Sequence, residues 1–387
     1  MQHPLFILAV FFAIIIFCEW LNQHTFLRKV GTTLMVILVA AVTANIGIIP
    51  SASDAPPLYG GIFTYLAPLS IFYLLLGVNL KDLKEAGLPM IIMFGLGALG
   101  TASGALVATF LFGDSALLQE HLAPFAGMMT GTYIGGSANF NAVALHYNMM
   151  EEGAFFAGTV AVDNILTAIW MISSLAIPAV LQRYFPRKEL KIYAEESGKA
   201  EFDADNELES VDPYQFALLG FLGILTLWVS NMSADWLKEM GITFPSILIL
   251  TTIALILAQF PQIQKIQGAK LLGLLCVYLF LAVIGAFCEF AALSQIGELA
   301  MLILGFTTTV VLVHGLVIFG LGALFKQDWS LIAVASQANI GGASTAMALA
   351  KSLKRPGLML PAIMVGSLGA GVGTYIGFLV AGMLGAA

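Results

Sequence analysis

Two short runs of small and polar residues stand out in a chain that is otherwise strongly apolar. One is Thr132-Tyr133-Ile134-Gly135-Gly136-Ser137-Ala138-Asn139, and the other is Asn339-Ile340-Gly341-Gly342-Ala343-Ser344-Thr345. Each interrupts an apolar stretch at its centre, so we expect one helix to stop there and another to begin. A helix that begins at such a break presents free N–H groups that favour anions, and the carbonyls of the helix that ends there can coordinate cations. The two runs therefore predict ion-binding sites.

These breaks predict a substrate site and a cation site. Ser137, Asn139 and Asn141 in the first run, and Ser344 and Thr345 in the second, are available as helix N-caps. The predicted substrate-binding residues are Gly135, Gly136, Ser137, Asn139, Asn141, Gly341, Gly342, Ser344 and Thr345. The predicted cation-binding residues are Thr132, Asp163, Asn164, Gln337 and Asn339. An alternative is that each Gly-Gly pair only permits close helix packing, but two such motifs at matching positions favour a function.

Asp163 is the only acidic residue deep inside a predicted membrane span. It lies about ten residues, or ~15 Å, from the outer end of its helix, at the depth expected for both Gly-Gly tips. A carboxylate at the bilayer centre costs at least ~2.5 kcal/mol, which makes it a functional candidate by default. With Asn164 it could bind Na⁺ or carry a proton; the alternative is a structural hydrogen bond. Because Lys and Arg are absent at this depth, backbone dipoles and neutral side chains would have to hold an anion.

Composition restricts the class of protein. Of the 387 residues, 59% are hydrophobic and 10% are charged, which excludes a soluble enzyme because such a chain lacks a charged surface. A formal net charge of −7 leaves no basic face for nucleic acid. The three cysteines have no disulfide or zinc spacing, and the sequence carries no Ser/His, His-Glu-x-x-His or paired-Asp arrangement. We therefore expect no enzyme and no cofactor, apart from a coupling Na⁺ or H⁺.

Hydropathy predicts an all-α polytopic membrane protein. Spanning the hydrocarbon core takes about 20 apolar residues. Ten segments qualify, at roughly 4–21, 30–49, 60–80, 88–112, 154–181, 214–234, 245–260, 271–289, 299–325 and 358–384. Two further stretches, 122–150 and 329–352, contain the polar breaks. The small-residue series Gly100/Gly104 and Gly369/Gly373/Gly377 predict packing faces for these broken stretches.

One charged stretch divides the chain. Residues 183–212 hold 14 of the 39 charged residues and are expected to form a solvated cytoplasmic linker. The predicted domains are an N-terminal membrane repeat, 1–182, this linker, and a C-terminal membrane repeat, 213–387. The broken stretch is fifth of six apolar segments in each half, which indicates an internal duplication.

The distribution of basic residues predicts the orientation of the repeats. If 122–150 crossed the bilayer, the next helix would deliver Arg183, Arg187 and Lys188 to the outside, against the positive-inside rule. A crossing 329–352 would likewise put Lys351 outside. Re-entrant segments resolve both conflicts and give two repeats of inverted topology, each with five transmembrane helices and one Gly-Gly-tipped segment. Discontinuous crossing helices are the alternative, since they are common in transporters.

The two motifs also carry a family resemblance. Gly-Thr-Tyr-Ile-Gly-Gly-Ser-Ala-Asn-Phe (131–140) and Ala-Asn-Ile-Gly-Gly-Ala-Ser-Thr-Ala (338–346) resemble those of the YjcL-like bacterial membrane family, a domain of unknown function, over essentially the whole chain. That family distantly resembles sodium–citrate and sodium–glutamate symporters, which implies re-entrant loops, Na⁺ coupling and a homodimer. Asp163-Asn164 is also similar to the paired acidic and amide motif of cation–proton antiporters. The resemblance implies no particular substrate.

The leading hypothesis is secondary active transport: Na⁺- or H⁺-coupled symport of a small organic anion by alternating access. One alternative is a cation/proton antiporter without an organic substrate, and a different class is a passive channel or membrane scaffold. The expected partners are the lipid bilayer, a small anionic solute and a second copy of the chain, without nucleic acid. We expect the inner membrane of a bacterial cell, with both termini outside.

Overall fold

A computed structural model describes residues 3–25, 32–51, 54–78, 80, 83, 86–187, 212–242, 244–288 and 296–386. Across these residues the chain forms helices and no strands. A π-helical turn, Ile62–Leu66, joins α3 to α4, and a 3₁₀ turn, Pro356–Leu358, precedes α16. The helices are α1 Pro4–His24, α2 Thr32–Asn45, α3 Pro57–Gly61, α4 Ala67–Leu75, α5 Leu88–Phe112, α6 Leu122–Gly135, α7 Ser137–His146, α8 Gly153–Tyr184, α9 Pro213–Glu239, α10 Ser246–Leu257, α11 Pro261–Gln264, α12 Ala269–Phe287, α13 Ile296–Leu324, α14 Trp329–Ile340, α15 Gly342–Ser352 and α16 Met359–Met383.

Eight helical segments of the described chain are long and apolar enough to cross a membrane, and they match eight of the ten predicted spans. The other two spans, predicted at 30–49 and 245–260, are shorter: α2 has 14 residues and α10 has 12. At 1.5 Å per residue these helices measure about 21 and 18 Å, less than the hydrocarbon core. A left-handed Gly47 (φ +79°) follows α2, and Pro261 follows α10, so both helices end early.

Some of the predicted features lie outside the described residues. They are most of the charged linker, at 188–211, which includes Lys188.

The two interrupted stretches each form a pair of helices, here called the first hairpin (α6 and α7) and the second hairpin (α14 and α15). At the open end of the first hairpin, His121 Nε2 lies 4.0 Å from the Glu152 carboxylate. At the open end of the second, Arg355 donates to Asp328 at 2.6 Å. The beginning and the end of each stretch therefore lie side by side.

Glycines let the first hairpin pack closely on α16. A Cβ atom at Gly127 would lie 2.7 Å from the Gly377 carbonyl oxygen, too close to be accommodated without a shift. The predicted small-residue face of α16 therefore does contact a hairpin. The predicted face of α5 packs differently, because a Cβ atom at Gly104 would lie 2.8 Å from the Val310 carbonyl of α13. The expectation that this face of α5 packs against a hairpin is therefore wrong for Gly104. This glycine instead allows α5 and α13 to pack closely.

The helices form two groups that meet around the hairpin tips. α5 packs along α13, and the two hairpins pack against α5, α8 and α16. In the second group, α12 packs against α2 and α4, and α4 also packs against α10. Contacts of α7 with α4 and of α8 with α12 join the groups. Tip residues of both hairpins thus lie where one helix group faces the other.

Candidate functional site

A cavity of about 410 Å³ lies between the two hairpin tips and α8, and we call it the tip cavity. Residues of α2 and α12, among them Thr33 and Val277, also line this cavity. Nine of the fourteen predicted site residues line it: Thr132, Gly136, Ser137, Asn141, Asp163, Asn164, Gln337, Gly341 and Thr345. The structure therefore brings together residues of three separate sequence segments that were predicted to bind ions.

The two glycines of each motif serve different purposes. Gly136 has φ +92° and Gly342 has φ +76°, a backbone region that favours glycine, so the second glycine of each pair allows the chain to turn. The first glycine of each pair instead lets neighbouring atoms lie where a side chain would otherwise stand. A Cβ atom at Gly135 would collide with the Gly369 carbonyl, and one at Gly341 would collide with the Thr345 side chain. Both glycines are needed to build the tip.

Helices α7 and α15 both begin at the tips without a side-chain cap. The predicted capping by Ser137, Asn139, Asn141, Ser344 and Thr345 is therefore wrong. Gly136 and Gly341 occupy the N-cap positions, and glycine has no side chain that could accept from the first-turn amides. Gly136 and Ser137 border the tip cavity, so the positive N-terminal end of α7 faces this space, whereas Ala343 in the first turn of α15 borders a different cavity.

Asp163 supplies the carboxylate of the tip cavity. Its Oδ1 lies 3.5 Å from the Thr167 hydroxyl, one turn further along α8. The buried Tyr133 hydroxyl lies beside the same carboxylate and has no other partner among the described residues. The amide nitrogen of Asn164 is buried and has no partner among them either. A buried acid with few partners and an unpaired amide in one place indicate a site that a ligand completes.

Gln337 contributes a second oxygen from the opposite hairpin. Its side chain is fully buried, and its Nε2 donates to Thr345 Oγ1 at 3.1 Å. Its Oε1 accepts no hydrogen bond from the described residues, and Gln337 lines the tip cavity. A carboxylate and an amide oxygen are suitable ligands for a hard cation. The donors of Asn164 and of the α7 N-terminus are suitable for an anion.

Transition-metal binding has no comparable support. Within the described chain, no group of three or more His, Cys, Asp or Glu side chains is arranged to hold a metal ion.

Five predicted residues, Gly135, Asn139, Gly342, Ser344 and Asn339, do not line the tip cavity. The buried Asn139 accepts from Thr374 at 2.6 Å and donates to the Gly369 carbonyl at 3.4 Å, which ties the first hairpin to α16. Asn339 donates to the Phe94 carbonyl of α5 at 3.1 Å. Both asparagines hold the hairpins in position.

Other residues of the tip cavity were not singled out from the sequence. Thr167 lies four residues after Asp163, so helical spacing could have identified it. The apolar wall, which includes Phe156, Val160 and Leu281, carries no sequence signal because apolar residues occur along every span.

A second cavity, of about 400 Å³, lies on the other side of the tips. Gly135 of the first tip and Ala343 of the second line it, together with Ser367 of α16 and Lys270 at the start of α12. Adjacent tip residues, Gly135 and Gly136, thus border different cavities. The tips form the partition between two spaces.

A buried polar network supports the second hairpin beside the site. Trp170 of α8 donates to Ser336 Oγ at 3.0 Å, and Ser336 lies 2.8 Å from His314 Nε2. The other ring nitrogen of His314 lies 2.9 Å from the Gly97 carbonyl of α5. A neutral imidazole that donates from Nδ1 and accepts at Nε2 satisfies every one of these contacts. His314 therefore joins α13 to α5 and α14, and Ser336 extends the network to α8.

The comparisons with known proteins agree on one family. A family model described as "Protein of unknown function (DUF819)" matches residues 6–387. The chain is also 28% identical over 388 residues to the "Uncharacterized membrane protein YjcL" of Bacillus subtilis (strain 168), with 96% of this chain and 93% of that relative covered. This agrees with the resemblance that the two Gly-Gly motifs indicate.

Proposed function

The chain belongs to the DUF819 family, and from this premise we propose that it is a secondary active transporter, a Na⁺- or H⁺-coupled symporter of a small organic anion. One observation carries the proposal: the tip cavity combines the Asp163 carboxylate, the unpaired Gln337 oxygen and the uncapped N-terminus of α7. The oxygens would hold the cation and the helix end the anion. Neither ion would be buried without an opposite charge.

We take the two hairpins to be re-entrant and the two halves to be inverted repeats. The contacts of His121 with Glu152 and of Arg355 with Asp328 support this, because each hairpin would enter and leave on one membrane face. Arg187, at the end of α8, donates to the carbonyls of Ala323 and Gln327. The open end of the second hairpin therefore belongs to the basic face, which is cytoplasmic by the positive-inside rule.

The spacing between the halves supports the duplication. A shift of 206 residues superposes Gly135-Gly136 on Gly341-Gly342 in sequence, and the same shift brings Gly153, the start of α8, onto Met359, the start of α16. Glycines of positive φ occupy the same position in both tips. We propose that one ancestral unit gave rise to both halves.

The hairpin tips lie between the tip cavity and the second cavity, and this arrangement supports transport by alternating access. The tip cavity and the second cavity lie on different sides of them, at the boundary between two helix groups. Movement of the hairpin-bearing group against the other would open the tips first to one space and then to the other. We propose that the protein is a carrier without enzymatic activity, a homodimer in the bacterial inner membrane with both termini outside.

A cation/proton antiporter is the second candidate, because Asp163 alone could exchange Na⁺ for H⁺. Reconstituted vesicles separate the two functions. A symporter accumulates an organic anion under a Na⁺ or H⁺ gradient, whereas an antiporter collapses a proton gradient when Na⁺ is added without an organic solute. Conductance without coupling would contradict both and favour a channel.

Ion binding can be tested before the substrate is known. We expect NaCl to raise the Tm of the purified protein above its value in choline chloride at the same ionic strength, if Na⁺ is the coupling ion. Asp163→Asn should abolish that difference, and Glu298→Gln, which changes an exposed acid in the first turn of α13, should retain it. If Asp163→Asn retains Na⁺-coupled or H⁺-coupled transport, the proposed site is wrong.

A further inference from the structure

The anion-binding end of the tip cavity has capacity for at most one negative charge. The uncapped N-terminus of α7, which borders it, carries roughly half a positive charge. Asn164 adds one neutral donor with no other partner. None of the described residues that line the cavity is a lysine or an arginine. The charge of a cation bound at Asp163 and Gln337 would be balanced by the Asp163 carboxylate, so it would leave no positive charge for the substrate.

The part of the tip cavity lined by α8 and α12 is mostly apolar. Phe156, Val160 and Met171 contribute from α8, and Val277 and Leu281 contribute from α12. A second carboxylate on the ligand would lie against this wall without a basic partner, and burying an unpaired charge is strongly unfavourable. A hydrocarbon tail there would instead gain about 25 cal/mol for each Å² removed from water.

The volume of the tip cavity is suited to a small ligand. At about 410 Å³ it lies at the lower end of the range found for small-molecule sites. A carboxylate with a tail of four to eight carbons would fit within it.

From this combination we propose that the substrate is an amphipathic monocarboxylate, with its carboxylate at the hairpin tips and its apolar tail against α8 and α12. The proposal rests on the proposed symport and specifies its substrate class. It excludes the di- and tricarboxylates, whose further charges would have no partner in the cavity.

Hexanoate, hexanamide, succinate and citrate are suitable probes, each tested with and without Na⁺ and at two pH values. We expect hexanoate to raise the Tm of the purified protein by several degrees, with the coupling ion enhancing the effect. Hexanamide has the same tail but no charge, and succinate has a second charge in place of part of the tail. Both should have little effect, as should citrate.

Variants of Val160 test the position of the tail. Val160→Phe should reduce the ratio of hexanoate to propionate affinity by at least about tenfold, because the longer tail loses its space, and Val160→Ala should raise it. Ile165→Phe is the matched control, since Ile165 lies on the same helix but is 56% exposed on the outside of the protein. It should leave the ratio unchanged.

The possible failures are distinguishable. A response to succinate or citrate that exceeds the response to hexanoate would overturn the monocarboxylate proposal and leave the symport intact. An unchanged affinity ratio in both Val160 variants would also overturn it. If the protein responds to Na⁺ or H⁺ but to no anion, the symport itself fails together with this proposal, and the antiporter remains.

Discussion

Gln337 donates its side-chain amide to Thr345 Oγ1 across the break of the second hairpin. The bond joins the end of α14 to the first turn of α15 and leaves the Gln337 oxygen free in the tip cavity. Thr345 in turn donates to the Gly342 carbonyl at 3.2 Å. The shape of the tip therefore fixes the position of Thr345, and Thr345 orients the proposed cation ligand Gln337. Residues that hydrogen-bond to the ligands of a metal ion orient those ligands in the same way.

This relationship predicts that Thr345 affects cation binding without contacting the cation. Thr345→Val should weaken Na⁺ binding by about tenfold, because Gln337 loses the partner that orients it, and Gln337→Leu should weaken it further. Thermal stabilisation by Na⁺ at several concentrations measures both effects. Thr109→Val is the control, since that hydroxyl donates only within α5. An unchanged Na⁺ response in Gln337→Leu would remove its oxygen from the proposed ligands.

The sequence was sufficient to predict the two helix breaks and that Asp163 lies beside them, because helix breaks and buried acids are local features of an apolar chain. It was not sufficient to predict which side of the tip each residue would border. Gly135 and Gly136 are neighbours in sequence but line different cavities, and Asn139 bonds to Thr374, 235 residues away. Such assignments depend on tertiary packing between the two halves.

Gly135 of the first tip should not tolerate alanine. Gly135→Ala should destabilise the protein by about 1–3 kcal/mol or prevent folding, because its methyl group would collide with the backbone of α16. Gly220→Ala is the matched control: it lies in α9, with no atom within 4 Å of the added Cβ, and should be neutral or slightly stabilising. Thermal denaturation in detergent compares them. Equal stability of the two variants would contradict the close contact.

The polar network around His314 should contribute to stability. Ser336→Ala would leave both Trp170 Nε1 and His314 Nε2 buried without partners, at a cost of about 1–3 kcal/mol for each. Ser352→Ala removes a hydroxyl that bonds only within its own exposed helix end, and serves as the control. A fall in Tm confined to Ser336→Ala supports the network. If Ser336→Ala is as stable as the control, the network does not stabilise the fold.

Orientation can be measured by labelling single cysteines in a background without Cys18, Cys276 and Cys288. Cysteines at positions 120 and 152 should both react from the exterior, and a cysteine at position 354 should react from the cytoplasm. The contact between His121 and Glu152 supports this expectation, because positions 120 and 152 adjoin it. Labelling of 120 and 152 from opposite faces would replace the first re-entrant hairpin with a crossing helix.

The last prediction concerns competition between Na⁺ and protons at Asp163. A carboxylate must be deprotonated to bind a cation, so lowering the pH should weaken the apparent Na⁺ affinity by up to about tenfold per pH unit once protonation competes. Tyr133 is the other ionisable side chain that the described residues place beside Asp163, and a phenol is neutral throughout this pH range. Na⁺ titrations monitored by Tm between pH 5 and 8 measure the slope. In Asp163→Asn the specific Na⁺ response should be absent at every pH. A Na⁺ affinity that is independent of pH in the unmodified protein would mean that cation binding does not require the Asp163 carboxylate to lose a proton in this range.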